Sequence, residues 1–87
     1  MTEKILFSLE NCPKCIQIKD LIKDNKDIKI ITYPHFVDSW SQQQLFEAKN
    51  HNIFDDLLIT APILLVDGKK FIGYLRIRKW LQENKYI

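Results

Sequence analysis

Cys12 and Cys15 are the residues of this sequence whose types and spacing most directly suggest chemistry, and the chain contains no other cysteine. Two cysteines separated by two residues can close a disulfide within one helical turn. They can equally supply half of a four-ligand zinc or iron–sulfur site. The spacing alone therefore indicates either a redox dithiol or part of a metal site.

The segments on either side of Cys12 predict the junction of a strand and a helix. Lys4–Leu9 is a short apolar run typical of a buried strand. Asn11 is a residue type that caps helices, and Pro13 suits a first helical turn, where its missing N–H leaves no hydrogen bond unmade. Free backbone N–H groups and the helix dipole favour an anion at such a helix start, so Cys12 is expected to form a reactive thiolate.

Cys15 is predicted to lie one turn deeper in the same helix, on its buried side. It shares that side with apolar residues further along the helix, namely Ile18, Leu21 and Ile22. We therefore expect Cys12 to attack a substrate disulfide and Cys15 to resolve the mixed disulfide that forms. Lys14, between the two cysteines, either adds positive charge near the thiolate or is an ordinary solvated lysine.

Beyond this helix the sequence predicts further strands and helices. A strand is predicted at Ile28–Tyr33, followed by a helix that begins near Trp40 with Ser39 and Gln42 as its capping box. A short helical turn and loop is predicted within Ile53–Thr60. The chain then continues with strands at Ile63–Val66 and Lys69–Ile72, joined by an Asp67-Gly68 hairpin, and a last helix at Leu75–Asn84. The first two strands should pair in parallel, and the hairpin should add an antiparallel pair. The prediction is one α/β domain spanning residues 1–87, with a four-stranded mixed sheet (βαβαββα) flanked by three helices.

The composition argues against several functional classes. The net charge is only +2, and the densest basic run, Arg76–Lys79, is expected to be the outer face of the last helix rather than a nucleic-acid site. The sequence contains no glycine-rich phosphate loop, and no apolar run suits a signal peptide or a membrane span. We therefore expect a cytoplasmic protein without nucleic-acid or membrane partners. In that reducing compartment, closely spaced cysteines are more often redox-active or metal-binding than structural.

Three segments together resemble the glutaredoxin family of thioredoxin-like proteins, including the glutaredoxin-like redoxins that serve ribonucleotide reductase. Phe7–Cys15 is similar to the family's apolar strand followed by a Cys-Pro-x-Cys site. Thr60-Ala61-Pro62 resembles the Thr-x-Pro segment, and Val66–Tyr74 resembles the hairpin and the glycine turn before the last helix. The resemblance spans nearly the whole chain in order and implies a thioredoxin-like fold.

The resemblance also implies roles for residues outside the cysteine segment. Pro62 would be a cis proline facing the cysteines, and the backbone of Thr60 and Ala61 would pair with an extended partner. Gly73 and Tyr74 would belong to the same surface, which binds glutathione or a peptide. The implied activity is the reduction of protein disulfides, ribonucleotide reductase among them, by a monomer. That monomer would hold no metal and no tightly bound cofactor, with glutathione as a candidate co-substrate.

Several positions depart from the family pattern. Pro13 matches it, whereas Lys14 stands where an aromatic residue is common. Leu9 and Glu10 occupy the stretch in which many members have a lysine that pairs with a glutathione carboxylate. The turn at Gly73 lacks the acidic residue that holds the γ-glutamyl group. The electron donor is therefore left open between glutathione and an enzyme of the thioredoxin-reductase type.

Two functions of other classes are also compatible with the sequence. A dimer or glutathione could complete an iron–sulfur or zinc site around the two cysteines. A thioredoxin-like domain could instead bind a partner without catalysis, and it would then need neither thiol. Three aromatic residues outside the motifs are expected to serve packing or to lie on the surface: His35, Trp40 and His51.

Overall fold

The computed structural model of the protein describes residues 3–87, and these residues form a four-stranded mixed sheet with helices on both faces. The strands are β1 (Lys4–Leu9), β2 (Ile28–Tyr33), β3 (Ile63–Val66) and β4 (Lys69–Ile72), and the α-helices are α1 (Pro13–Ile22), α2 (Gln42–Asn50), α3 (Phe54–Ile59) and α4 (Tyr74–Glu83). The strand order is β2-β1-β3-β4. β1 pairs with β2 in parallel and with β3 antiparallel, and the hairpin of β3 and β4 is antiparallel, as the sequence predicts.

The two central strands are largely apolar because both of their faces are covered, with Ser8 as the buried polar residue of β1. In β1, Ile5 and Phe7 pack with α2 and α3, while Leu6 packs on the opposite face with α1 and α4. In β3, Ile63 and Leu65 lie on the face that packs with α2 and α3, and Leu64 lies on the face that packs with α1 and α4. The helix side chains buried on this second face are Ile18, Ile22, Ile77 and Leu81. This alternation fixes the face of the sheet on which each helix lies.

The helices differ from the sequence prediction in number and in their first residues. The described part of the chain contains four α-helices rather than three, because Phe54–Ile59 forms a complete short helix where a turn and a loop were expected. Helix α2 begins at Gln42, and its capping box is formed by Ser41 and Gln44 instead of Ser39 and its partner. Ser39 ends a short 3₁₀ turn at Val37–Ser39.

Three apolar residues of the helices are exposed, among them Leu21, which the sequence analysis placed on the buried side of α1. Leu75 is 77% exposed, since it lies about 200° around α4 from the buried Ile77. Leu21 lies at the border of the buried face of α1, and Phe46 points outward from α2. Among the helices within residues 3–87, none has the length and hydropathy needed to cross a membrane.

Candidate functional site

Cys12 occupies the position immediately before the first residue of α1, where its backbone is extended (φ −112°, ψ 108°). The sequence prediction assigned the cap to Asn11, and this is wrong. Asn11 has a left-handed backbone (φ 57°) and forms the turn out of β1, so Cys12 is the extended residue that begins the helix. Pro13 follows in the first turn, as predicted.

The sulfur of Cys12 itself caps the helix. The Cys15 backbone N–H donates to Cys12 Sγ at 3.3 Å, and the Ile16 N–H donates to the Cys12 carbonyl at 3.0 Å. A sulfur that accepts a backbone N–H at the positive end of a helix is placed where negative charge is stabilised. This geometry places Cys12 Sγ at the amino end of α1 as the acceptor of a backbone N–H.

The two thiols differ in their exposure to solvent. Cys12 is partly exposed, whereas Cys15 is 0% exposed, and both are free thiols in this structure. The pKa of Cys15 is raised from 9.0 to about 12, first because burial disfavours its charged form and then because Cys12 hydrogen-bonds to it and repels its charge. The Leu9 backbone and the charge of Lys19 act in the opposite direction and lower this pKa. Only Cys12 is therefore reachable by a large substrate, with a protonated thiol beneath it.

Lys19 lies one turn after Cys15 in α1 and is partly exposed. Its ammonium acts on Cys15 through charge, and its Nζ donates to Thr32 Oγ1 at 3.4 Å. Thr32 in turn shares a 2.9 Å hydrogen bond with Ser8, a fully buried hydroxyl. The spacing of four residues from Cys15 to Lys19 could have revealed this neighbour, since residues so spaced lie on one face of a helix.

The burial of Cys15 leads us to expect that the free energy of unfolding depends on pH. The unfolded chain releases the Cys15 proton near pH 9.0, whereas the folded chain keeps it up to about pH 12. Between these values the folded state binds more protons, so the free energy of unfolding of the reduced protein should fall as pH rises. Tyr33, whose pKa is also raised by burial and by its hydrogen bond to Glu47, adds to the fall at the upper end of this range.

Urea unfolding of the reduced protein at neutral pH and at steps between about pH 9 and 12 measures this slope. A Cys15→Ala variant should show a shallower fall that begins at higher pH, because only Tyr33 then contributes. A variant with the same slope as the unmodified protein would contradict the assignment of the effect to Cys15.

Pro62 lies at the edge of the sheet from which Cys12 emerges. The pairing of Phe7 with Ile63 sets the amino end of β3 beside the carboxyl end of β1, so the residue before Ile63 and the loop after β1 share one edge. Pro62 is fully buried, and its bond to Ala61 is cis, as the resemblance implied.

The start of α4 is attached to the same edge. The Gly73 N–H donates to the Pro62 carbonyl at 3.1 Å, and the Thr60 methyl lies 3.7 Å from the place where a Cβ on Gly73 would stand. Gly73 has φ 96°, a conformation that other residues rarely adopt, which explains a glycine at this turn. Thr60, Ala61 and Gly73 are all partly exposed.

An open cleft of about 490 Å³ lies between the two helix starts. Its lining is made up of one lysine from α1 and the first residues at the start of α4: Lys14, Ile72, Gly73, Tyr74, Leu75 and Arg76. Lys14 and Arg76 are both exposed and place two positive charges on the cleft. The Tyr74 ring packs against the cluster of α1 and α4, and its hydroxyl accepts from Arg78 Nη1 at 3.4 Å.

The predicted site residues therefore fall into connected groups. Lys14, between the two cysteines, lines the cleft together with Gly73 and Tyr74, and the Gly73 N–H donates to the Pro62 carbonyl. The sequence analysis missed the apolar residues at this edge, since Leu75 and Ile59 are 77% and 84% exposed. An apolar residue in a helix predicts burial, so only the packing reveals that these two are open to a partner.

The aromatic residues outside the motifs lie in the core or at the surface: Trp40 is buried, His35 is exposed and His51 is partly exposed. Trp40 is buried and donates its ring N–H to the Pro34 carbonyl at 2.8 Å. His35 donates from Nδ1 to the Glu10 carbonyl at 3.0 Å, which ties the loop before Cys12 to the loop after β2. His51 caps the end of α2. Among residues 3–87, no group of three or more His, Cys, Asp or Glu side chains is arranged to hold a metal ion.

The chain is similar in structure to two solved glutaredoxins. Glutaredoxin 1 from Francisella tularensis, in a crystal structure with cacodylate, superposes with a TM-score of 0.60 over 100% of both chains at 12% identity. The dithiolic glutaredoxin 2-C-Grx1 from Trypanosoma brucei brucei superposes with a TM-score of 0.61, at 22% identity, over 98% of this chain and 82% of that chain. No family model and no curated protein matches the sequence. The protein therefore has the thioredoxin-like α/β fold, in the form that glutaredoxins share.

Proposed function

We propose that the protein is a thiol–disulfide oxidoreductase of the glutaredoxin type that reduces protein disulfides through Cys12 and Cys15. One observation carries the proposal: a partly exposed sulfur caps the start of α1 while a second, fully buried thiol lies within hydrogen-bonding reach of it. A redox dithiol needs this asymmetry, because one sulfur must be accessible to attack the substrate disulfide and the other must resolve the mixed disulfide afterwards. The shared fold with two glutaredoxins supports the same activity.

The reaction proceeds in two exchanges. The Cys12 thiolate attacks one sulfur of the substrate disulfide, the substrate S–S bond breaks, and the leaving thiolate takes up a proton. Cys15 then loses its proton and attacks Cys12 Sγ, which releases the second substrate thiol and leaves a Cys12–Cys15 disulfide. The substrate gains two electrons and the protein loses two.

The environment of Cys15 suits the timing of the second exchange. Its pKa is raised first by burial and then by the hydrogen bond and the charge of Cys12. Burial still raises this pKa in the mixed disulfide, but Cys12 then carries no charge, while the charge of Lys19 still lowers it. Cys15 is therefore more easily deprotonated at the step in which it must act.

The remaining predicted residues bind the partner. Pro13 and Lys14 present Cys12 from the helix start, with Lys14 adding a positive charge at the cleft. Thr60 and Ala61, the partly exposed residues before Pro62, would offer backbone hydrogen bonds to an extended chain. Glutathione carries two carboxylates and fits the charge of the cleft that Lys14 shares with Arg76, so it is the first candidate for the electron donor.

A coupled turnover assay tests this function. The protein is supplied with an insulin disulfide, and electrons come either from NADPH, glutathione reductase and glutathione or from NADPH and a thioredoxin reductase. We expect turnover with at least one donor, and the faster donor identifies the physiological class. A folded sample that turns over with neither donor, and whose reduced form reduces no disulfide stoichiometrically, would overturn the proposal. Stoichiometric metal in such a sample would favour the metal-binding alternative.

A further inference from the structure

A second cavity, of about 300 Å³, lies between the edge strand β4 and the helix α4. We call it the basic groove, and its lining is formed by four cations, two aromatic rings and one carboxylate: Lys69, Lys70, Arg76, Lys79, Phe71, Trp80 and Glu83. The rings of Phe71 and Trp80 are half-buried with centroids 5.8 Å apart, so the groove has an apolar floor.

The positive charges of the basic groove are largely uncompensated. Within the described residues, the only salt bridge joins Lys70 to Asp56, on the other face of the sheet. Lys69 lies 5.5 Å from the centroid of the Phe71 ring, and Arg76 and Lys79 are exposed. With Lys70 paired to Asp56, three unpaired cations and one carboxylate, Glu83, remain in the lining of the groove.

The basic groove adjoins the cleft that Lys14 lines. Arg76 lines both cavities, and Lys14, two residues after Cys12, lines the cleft. Positive charge is thus present at Lys14, near the start of α1, and at Arg76 and Lys79 on α4. A small anion would lie at one of these positions, whereas an extended polypeptide, at about 3.3 Å per residue, can follow all of them.

The basic run of the last helix is not one patch. Arg76 and Lys79 face the groove, while Ile77 is buried and Arg78 turns to the Tyr74 hydroxyl. These two α4 cations line the groove together with the Phe71 and Trp80 rings. This favours an acidic polypeptide with an apolar side chain over a nucleic acid.

We propose that the basic groove binds an acidic, extended segment of the substrate protein, near the disulfide that Cys12 attacks. The carboxylates of the segment pair with Lys69, Arg76 and Lys79, and an apolar side chain of the segment packs on Phe71 and Trp80. The inference rests on the proposed function and names its substrate class: disulfides flanked by acidic sequence. Because the contacts are exposed ion pairs, they act mainly on the rate of association and weaken with salt.

Synthetic peptide disulfides test this preference without any electron donor. Three peptides share one disulfide and one aromatic residue, and differ only in flanks rich in Asp and Glu, in Asn and Gln, or in Lys. The rate constant for oxidation of the reduced protein by each peptide is measured by stopped flow at low and high ionic strength. We expect the acidic peptide to react about tenfold faster than the neutral one at low salt, and the gap to close at high salt.

Two charge-reversed variants with the same net charge locate the effect. Lys69→Glu combined with Lys79→Glu should remove the preference for the acidic peptide. Lys26→Glu combined with Lys29→Glu, at the opposite edge strand β2, should keep most of the preference for the acidic peptide. Equal rates for the three peptides, or equal losses in the two variants, would overturn the groove assignment.

A binding arm separates this inference from the proposed function. Acidic and neutral peptides with serine in place of cysteine are titrated against the protein, and NMR shifts of the groove residues are followed. If no peptide disulfide is reduced, the proposed function fails, yet shifts caused by the acidic analogue alone would still support the groove. A single-stranded oligonucleotide that binds more tightly than the acidic analogue would overturn the choice of a polypeptide.

Discussion

A Cys12→Ser variant is expected to lose all disulfide reduction while keeping its fold. The hydroxyl of serine does not form the thiolate that attacks a disulfide, so the first exchange cannot occur. The substitution leaves the local structure intact, because serine is a favoured residue at this position and its oxygen can accept the Cys15 N–H that Cys12 Sγ accepts now. Coupled turnover and circular dichroism measure the two properties separately.

A matched Cys12→Ala variant separates the chemical role of the sulfur from its role as a cap. It should be equally inactive, but less stable than Cys12→Ser by about 0.5–2 kcal/mol, because the Cys15 N–H then has no acceptor at the helix start. Equal stability of the two variants in urea would show that the sulfur position is not a cap. Residual dithiol-type turnover in Cys12→Ser would remove Cys12 from the role of attacking thiol.

A Cys15→Ser variant is expected to stop after the first exchange and to accumulate a mixed disulfide between Cys12 and its substrate. The attack by Cys12 does not need Cys15, whereas release of the captured substrate does. Serine fits the buried position, since the Leu9 backbone that hydrogen-bonds to the Cys15 sulfur can do the same for an oxygen. Mass spectrometry should find one substrate molecule per protein, released by added dithiothreitol.

The Cys12→Ser, Cys15→Ser double variant is the control for this trapping, and it should capture nothing. Release of both substrate thiols by Cys15→Ser at the rate of the unmodified protein, without added thiol, would contradict the resolving role of Cys15. The trapped proteins also bear on the substrate class. Those captured by Cys15→Ser should carry acidic sequence beside the bound cysteine if the basic groove selects them.

Local chemistry made much of the fold predictable from the sequence. Central strands are continuous apolar runs because both faces are buried, and β1 and β3 are such runs. Asp67 and Gly68 both adopt positive φ, which is what a two-residue hairpin needs, so this turn was predictable from two residues. Pro13 after a polar turn similarly predicted the helix start at Cys12.

The helix caps were less predictable because residue type alone does not set backbone conformation. Ser39 and Ser41 both precede a glutamine by three residues, so the capping pattern exists in two registers. The packing of Trp40 and its hydrogen bond to the Pro34 carbonyl place Ser39 in a 3₁₀ turn, and Ser41 takes the cap. At the other helix, Asn11 has the right chemistry but a left-handed backbone.

The sequence by itself therefore determined the strands, the hairpin and the position of the dithiol at a helix start, because neighbouring residues control each of these. Tertiary structure alone decided what surrounds Cys12. The register of β1 and β3 brings Pro62 to its edge, Lys14 faces the start of α4 across the cleft, and Arg76 joins that cleft to the basic groove. These neighbours lie far apart in sequence, and strand register and helix packing, which act over the whole core, set their distances.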